Sequence, residues 1–178
     1  MSVKFNHHGR EFVMTTRSDD YSGPPWKDDG GAVNVDERVH YQRAGHYPKG
    51  PGERIIHVCR TTVYVVDVRA EYERVYAEGW GLCDADAAKL AAKLERTPSR
   101  KEIAIESVER NIKRMVGWLN NDWGYVGVVV TDVLSGDSDA LWRIESDDPT
   151  YILEVRDELA SGLHPLADAE SAAVLGEN

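Results

Sequence analysis

The stretch Gly117-Trp118-Leu119-Asn120-Asn121-Asp122-Trp123-Gly124-Tyr125-Val126-Gly127-Val128-Val129-Val130 constrains this chain most. Before it, Ile105, Val108, Ile112, Met115, Val116 and Leu119 recur at helical spacing. After it, valines fill both faces of a β-branched run at 125–134, the pattern of a central strand buried on both sides. A long amphipathic helix thus runs into a strand through a junction of two tryptophans and three polar side chains. A chain with that join has to pack a helix against a sheet.

The flanking segments extend the picture. Residues 3–17 read as a hairpin turning at Asn6-His7-His8-Gly9. Residues 18–53 are rich in glycine and proline and read as a long irregular loop, with a short strand near Val33–Val35. Loops of that length in a compact domain carry function or lack fixed structure. Two β-branched runs, 54–59 and 62–67, read as strands. Val68, Tyr72, Val75 and Tyr76 then follow helical spacing up to Gly79. A second helix begins near Asp84, and a third opens at Thr97-Pro98 with proline as its first helical residue. On the third helix, Glu106 with Arg110 and Glu109 with Lys113 sit four apart and are expected to pair. Leu141–Ile144 partners the 125–134 strand, and Asp148-Pro149 caps a last helix. The order predicts an α+β fold: an antiparallel sheet of five or six strands with three to four helices on it, one domain over 1–162. Residues 163–178 read as a flexible acidic tail.

Charge and cysteine content narrow the classes. The net charge is −10 over 178 residues, so the basic footprint of a nucleic-acid binder is missing. The basic stretch Lys93–Arg114 is interleaved with Glu102, Glu106 and Glu109, which argues against a local basic face. Two cysteines, Cys59 and Cys83, do not make a disulfide framework, and Cys59 in its apolar run reads as a small packed hydrophobe. No apolar run approaches the ~20 residues of a membrane span. The first residues lack a secretory h-region, so a cytoplasmic location is expected.

No catalytic signature emerges. A Gly-x-Ser-x-Gly elbow, a phosphate loop and a zinc-spaced Cys/His set are all missing from the sequence. His40 and His46 could ligate a metal, but solvated loop histidines are the plainer reading. Asp132, Asp137, Asp139, Glu145, Asp147 and Asp148 could supply hard oxygens, yet these are also the residues that turns and caps use. Cys83 near a helix start could be activated, though such cysteines are ordinarily inert. No catalytic residue, metal or cofactor is therefore expected.

Two binding surfaces are expected instead. Nine acids between Asp132 and Glu158 face only Arg143 and Arg156, and 17–38 adds six more acids. If they share a face, Trp26, Asp28, Asp29, Asp137, Asp139, Asp147 and Asp148 would meet a partner with a basic surface, with Trp26 as the anchor. Alternatively Trp118, Asn120, Asn121, Asp122 and Trp123 would line a pocket for a planar, nucleotide-like ligand.

Gly23-Pro24-Pro25-Trp26, Glu78-Gly79-Trp80-Gly81, the Gly117–Val128 stretch and Leu141-Trp142-Arg143-Ile144-Glu145-Ser146-Asp147 occur in this order. Together they resemble an uncharacterised family of small proteins encoded by tailed DNA bacteriophages, over roughly residues 19–160. The loop at 31–53 and the tail lie outside the resemblance. It implies a phage or prophage setting and no catalytic residues. The expected function is that of an acidic interaction protein. In the cytoplasm of the infected bacterial cell it would bind a host protein, inhibiting antiviral defence or another DNA-binding target. The alternative is a small-ligand binding protein.

Overall fold

A computed structural model describes residues 2–27, 33–39, 49–79 and 81–163. In chain order the elements are β1 (Ser2–His7), β2 (Arg10–Ser18), a 3-10 turn (Pro25–Lys27), β3 (Asp36–Val39), β4 (Glu53–Val58) and β5 (Thr62–Asp67). Helices α1 (Val68–Glu78), α2 (Asp84–Leu94) and α3 (Arg100–Leu119) follow, then β6 (Tyr125–Asp132), β7 (Ser138–Glu145) and α4 (Pro149–Leu163). The fold is α+β, with antiparallel sheets. Among the described residues seven strands are divided between two sheets, β1-β2-β6-β7 and β3-β5-β4, where the sequence suggested one. The chain divides into two compact units, Met1–Ser22 with Trp123–Asn178, and Gly23–Asp122. In chain order the second is inserted between paired strands of the first.

The first unit is a hairpin extended by a second hairpin. Asn6 Oδ1 accepts the Gly9 N–H at 3.0 Å, while His8 and Gly9 take positive φ, so the chain reverses in two residues. β6 lies between β2 and β7, the central place its valines predicted, but only its Val128 and Val130 face is buried; Tyr125, Val129 and Thr131 on the other are half-buried. Phe12, Val128, Val130 and Ile144 are buried with Val155 and Ala160 of α4. Asp148 accepts the Tyr151 N–H at 3.0 Å and Pro149 is the first helical residue, so α4 starts where expected. β6 ends at Asp132, two residues early. The buried Asp132 carboxylate accepts the Leu134 and Ser135 N–H groups at 2.8 and 3.3 Å and meets Arg10 Nε at 2.6 Å, which bends the chain into its turn. Gly127 has no room for a Cβ because the Trp142 ring lies on it. Asp19 clamps the point where the chain leaves β2: it accepts from the Tyr21, Ser22 and Arg143 backbone N–H groups and from Ser22 Oγ.

The second unit is built on α3. Its buried Ala104, Val108, Ile112 and Met115 pack in one cluster with Trp26, Val33, Val66 and Val75. The helix opens after Ser99, not at Pro98. Ser99 and Glu102 form a reciprocal capping box, satisfying two N–H donors, and that leaves Pro98 outside. α1 is capped by Asp67, which accepts the Ala70 N–H at 2.9 Å, and stops at Gly79 with φ 77°. The third strand is Asp36–Val39 rather than Val33–Val35. Val33 is buried in the core, and Asn34 is held by the buried Glu71 carboxylate (Nδ2 at 2.6 Å, N–H at 3.1 Å) instead of a strand ladder. The expected pairs along α3 give way to tertiary ones: Glu109 pairs with Arg54, Arg110 with Asp86, and Glu106 approaches Lys93. Among the described residues no helix is long and apolar enough to cross a membrane. The tail beyond 163 and most of the 28–48 loop lie outside the described residues.

Two carboxylates link this fold to pH. The Arg38 guanidinium and the Gly50 N–H hold Glu53 at a pKa of about 2, against the usual 4.5. Arg96 and the Ser99 cap hold Glu102 at about 2 as well. Depressed folded values mean stability that is complete above the unfolded pKa and lost as pH falls from about 4.5 to about 2. Urea unfolding should therefore show the gap between the native chain and Glu53→Gln closing over that interval. A gap independent of pH would contradict the assignment.

Candidate functional site

The sequence Lys49-Gly50-Pro51-Gly52-Glu53-Arg54 makes a tight approach between β4 and α1. The Glu53 N–H donates to the Gly50 carbonyl at 3.2 Å, and the Val68 N–H to the Gly52 carbonyl at 3.2 Å. Gly52 has φ 87°, and a Cβ there would sit 3.1 Å from Arg69 Cβ. Only glycine lets the turn close this tightly on the first residues of α1. Beside it, α3 presents Ile105, Val108 and Glu109, which share one side of the helix at three- and four-residue spacing.

These three segments line an open cleft of about 660 Å³ within the second unit. Ile55, Val68, Tyr72, Ile105 and Val108 give it apolar walls. Ile105 is 45% exposed although it belongs to the apolar stripe of α3. The rim carries Lys49, Arg54, Arg69, Glu53 and Glu109. Arg54 grips Glu109 with both terminal nitrogens, at 2.7 and 2.8 Å. That pairing lowers the Glu109 pKa and raises that of Arg54. The Glu53 carboxylate is taken up by Arg38 at 2.9 and 2.6 Å and by the Gly50 N–H. Arg69 reaches Glu73 at 3.0 Å along the exposed side of α1. Lys49 has no ion-pair partner among the described residues. A second, smaller cleft of about 430 Å³ is lined by Asp36, Glu53, Asp67 and Glu71, and Arg38 lies in it. Its polar groups are already committed, to the Arg38 and Glu71 networks and, at Asp67, to the α1 cap.

The residues singled out from sequence are dispersed. Trp26 is a core residue, 8% exposed, with Tyr64 and Trp118 edge-on at 5.8 and 5.1 Å and its Nε1–H donated to Glu37 at 3.1 Å. It is not a surface anchor, because a ring with three aromatic and carboxylate neighbours is already satisfied. Asp28, Asp29, His40, His46 and Trp80 lie outside the described residues. Asp137 and Asp139 are exposed at the β6–β7 turn, whereas Asp147 and Asp148 follow the other end of β7. An eight-residue strand spans about 27 Å, so the four do not form one cluster. Asp148 is also committed as the cap of α4.

The tryptophan junction separates in the same way. Trp118 packs on Trp26 in one unit, and Trp123, 7% exposed, packs on Tyr125 in the other at 5.7 Å. Asn120, Asn121 and Asp122 are exposed, and their N–H groups close the end of α3 onto Val116, Trp118 and Gly117. Each ring is therefore committed to its own core. Cys59 is exposed in the β4–β5 turn, not packed, and the Thr61 N–H lowers its pKa. Cys83 is exposed, with its thiol donated to Asp86 at 3.0 Å. Among the described residues no group of three or more His, Cys, Asp and Glu is placed to hold a metal ion. Asp132, one of the six acids of the metal reading, has its oxygens taken by Arg10 and two N–H groups.

Lys49, Arg54, Arg69, Tyr72 and Ile105 were not singled out as a site from sequence. The one available signal was Ile105, an apolar residue at the edge of a stripe already wide enough to bury α3. Comparison with known proteins gave no match: no family model, no curated protein and no solved structure matches the chain.

Proposed function

We propose that the protein binds a small ligand in the cleft between β4, α1 and α3. The observation that carries this reading is the cleft itself: about 660 Å³, apolar inside and charged at the rim. Sites for small molecules are concave, of roughly 300–1,000 Å³, largely apolar and fitted with a few polar groups that orient the ligand. This is the ligand-binding alternative of the sequence reading, moved from the Trp118–Trp123 junction to a place where side chains leave space. A ligand held only by the native state raises stability by mass action, about 2.7 kcal/mol at a hundredfold excess over Kd. A thermal-shift screen of small molecules should therefore yield ligands that raise Tm in the native chain. Ile105→Arg, which fills the cleft from an exposed position, should abolish the shift. Hits that stabilise Ile105→Arg equally would place the site elsewhere.

A second reading keeps a protein partner. Leu134 is 83% exposed at the tip of the β6–β7 turn, which the Asp132–Arg10 pair fixes, and Asp137 and Asp139 stand beside it. A fixed apolar tip with acids around it suits a partner that has an apolar socket and a basic rim. The resemblance to phage proteins would make that partner a host protein of an infected bacterial cell. Affinity capture from nuclease-treated host lysate should recover it with the native chain and lose it with Leu134→Asp. Equal recovery would remove the hairpin from the interaction.

A further inference from the structure

The cleft rim carries more cations than carboxylates in a chain whose net charge is −10, with Arg69 paired to Glu73 along α1. Lys49, Arg54 and Arg69 stand on it. Of its two carboxylates, Glu53 is turned to Arg38 and to the Gly50 N–H, leaving Glu109. Glu109 and Arg54 are each nearly half exposed, 44% and 45%, so their pair stands at the mouth of the cleft rather than in its floor. Both terminal nitrogens of Arg54 meet both oxygens of Glu109. That is the fork arrangement in which guanidinium recognises a carboxylate.

Resting on the reading of this cleft as the ligand site, we infer that its ligand is an amphipathic monocarboxylate that takes the Arg54 fork from Glu109. Its apolar body, an alkyl chain or an aryl ring, lies against Tyr72, Ile105 and Val108. The exchange is close to neutral at Arg54 because one carboxylate replaces another on the same guanidinium. Arg54 is never left unpaired, and Glu109 is released into water it already touches. Breaking so exposed a pair costs little. Burial of the ligand's body over the exposed Ile105 supplies the gain. Lys49 adds attraction that weakens with salt. A neutral amphiphile would gain the apolar contacts and leave the Arg54–Glu109 pair in place without the attraction of Lys49, and an ammonium would be repelled by Lys49.

Isothermal titration of the full chain with decanoate below its micellar concentration, 2-naphthoate, decanol and decylammonium tests this. Decanoate or naphthoate should bind about threefold more tightly than decanol, because the fork is exchanged rather than gained and Lys49 alone adds attraction on the scale of an exposed charge pair, and decylammonium should bind more weakly than decanol. A preference for decanoate identifies an aliphatic body, and a preference for naphthoate identifies a ring against Tyr72; either supports the inference. Arg54→Gln should lose most of the carboxylate affinity while leaving decanol unchanged. Glu109→Gln should strengthen carboxylate binding about threefold by removing the internal competitor. Arg54→Lys, which keeps the charge without the fork, should fall between and guards against a folding defect in Arg54→Gln. Equal affinity for decanol and decanoate, or unchanged carboxylate binding in Arg54→Gln, overturns the ligand class but keeps the cleft. No binding of any of the four by the native chain overturns the inference, and if Ile105→Arg also leaves every screening hit unaffected, the cleft reading falls with it.

Discussion

One stripe of α3 has to be covered, and the 23–122 unit is arranged by how that happens. Ala104, Val108, Ile112 and Met115 are buried against Trp26, Val33, Val66 and Val75. Burying a side chain of that size contributes about 1.5–3 kcal/mol, so the stripe outweighs any single ion pair on the surface. A three-stranded sheet offers one face to it and α1 offers another, and both are used. The stripe is wider than the cover. Ile105 stays in contact with water at one edge, and Glu109 stands beside it within reach of Arg54 on β4. The cleft is what remains when a helix is packed on two supports that do not meet over its whole apolar width.

The 1–22 and 123–178 unit follows a different constraint, that of a central strand. β6 is buried on its Val128 and Val130 face by α4 and paired on both edges. Its end is set by one carboxylate. Asp132 satisfies two turn N–H groups and Arg10 at once, so it trades ladder positions at Val133 and Leu134 for a fixed turn. A buried carboxylate so engaged is a structural group, and that removes it from any account that needs a free acid there.

Elements with strong periodicity were legible in the sequence. The 3–17 hairpin, the strands at 54–59 and 62–67, the helix ended by Gly79 and the Asp148–Pro149 start of α4 all follow from local turn, cap and spacing chemistry. Division of the strands into two sheets was not legible, because strand pairing is non-local and nothing in 18–53 marks Asp36–Val39 as a partner for β5. The pairs along α3 were misread for a related reason. Spacing places Glu109 near Lys113, but Arg54 brings a planar fork from another element and wins. Trp26 looked exposed because its neighbours are prolines, acids and glycines. Its burial depends on Tyr64 and Trp118, far away in sequence. The cleft was hidden likewise: its cations come from a turn, a strand and a helix start, and only Ile105 hinted at it.

The most direct test is a methyl-detected NMR titration of the isoleucine- and valine-labelled chain with decanoate. The account predicts that Ile55, Val68, Ile105 and Val108 shift together and saturably, while Val128, Val130 and Ile144 of the other unit stay in place. Shifts that never saturate, or that centre on the second group, would contradict it.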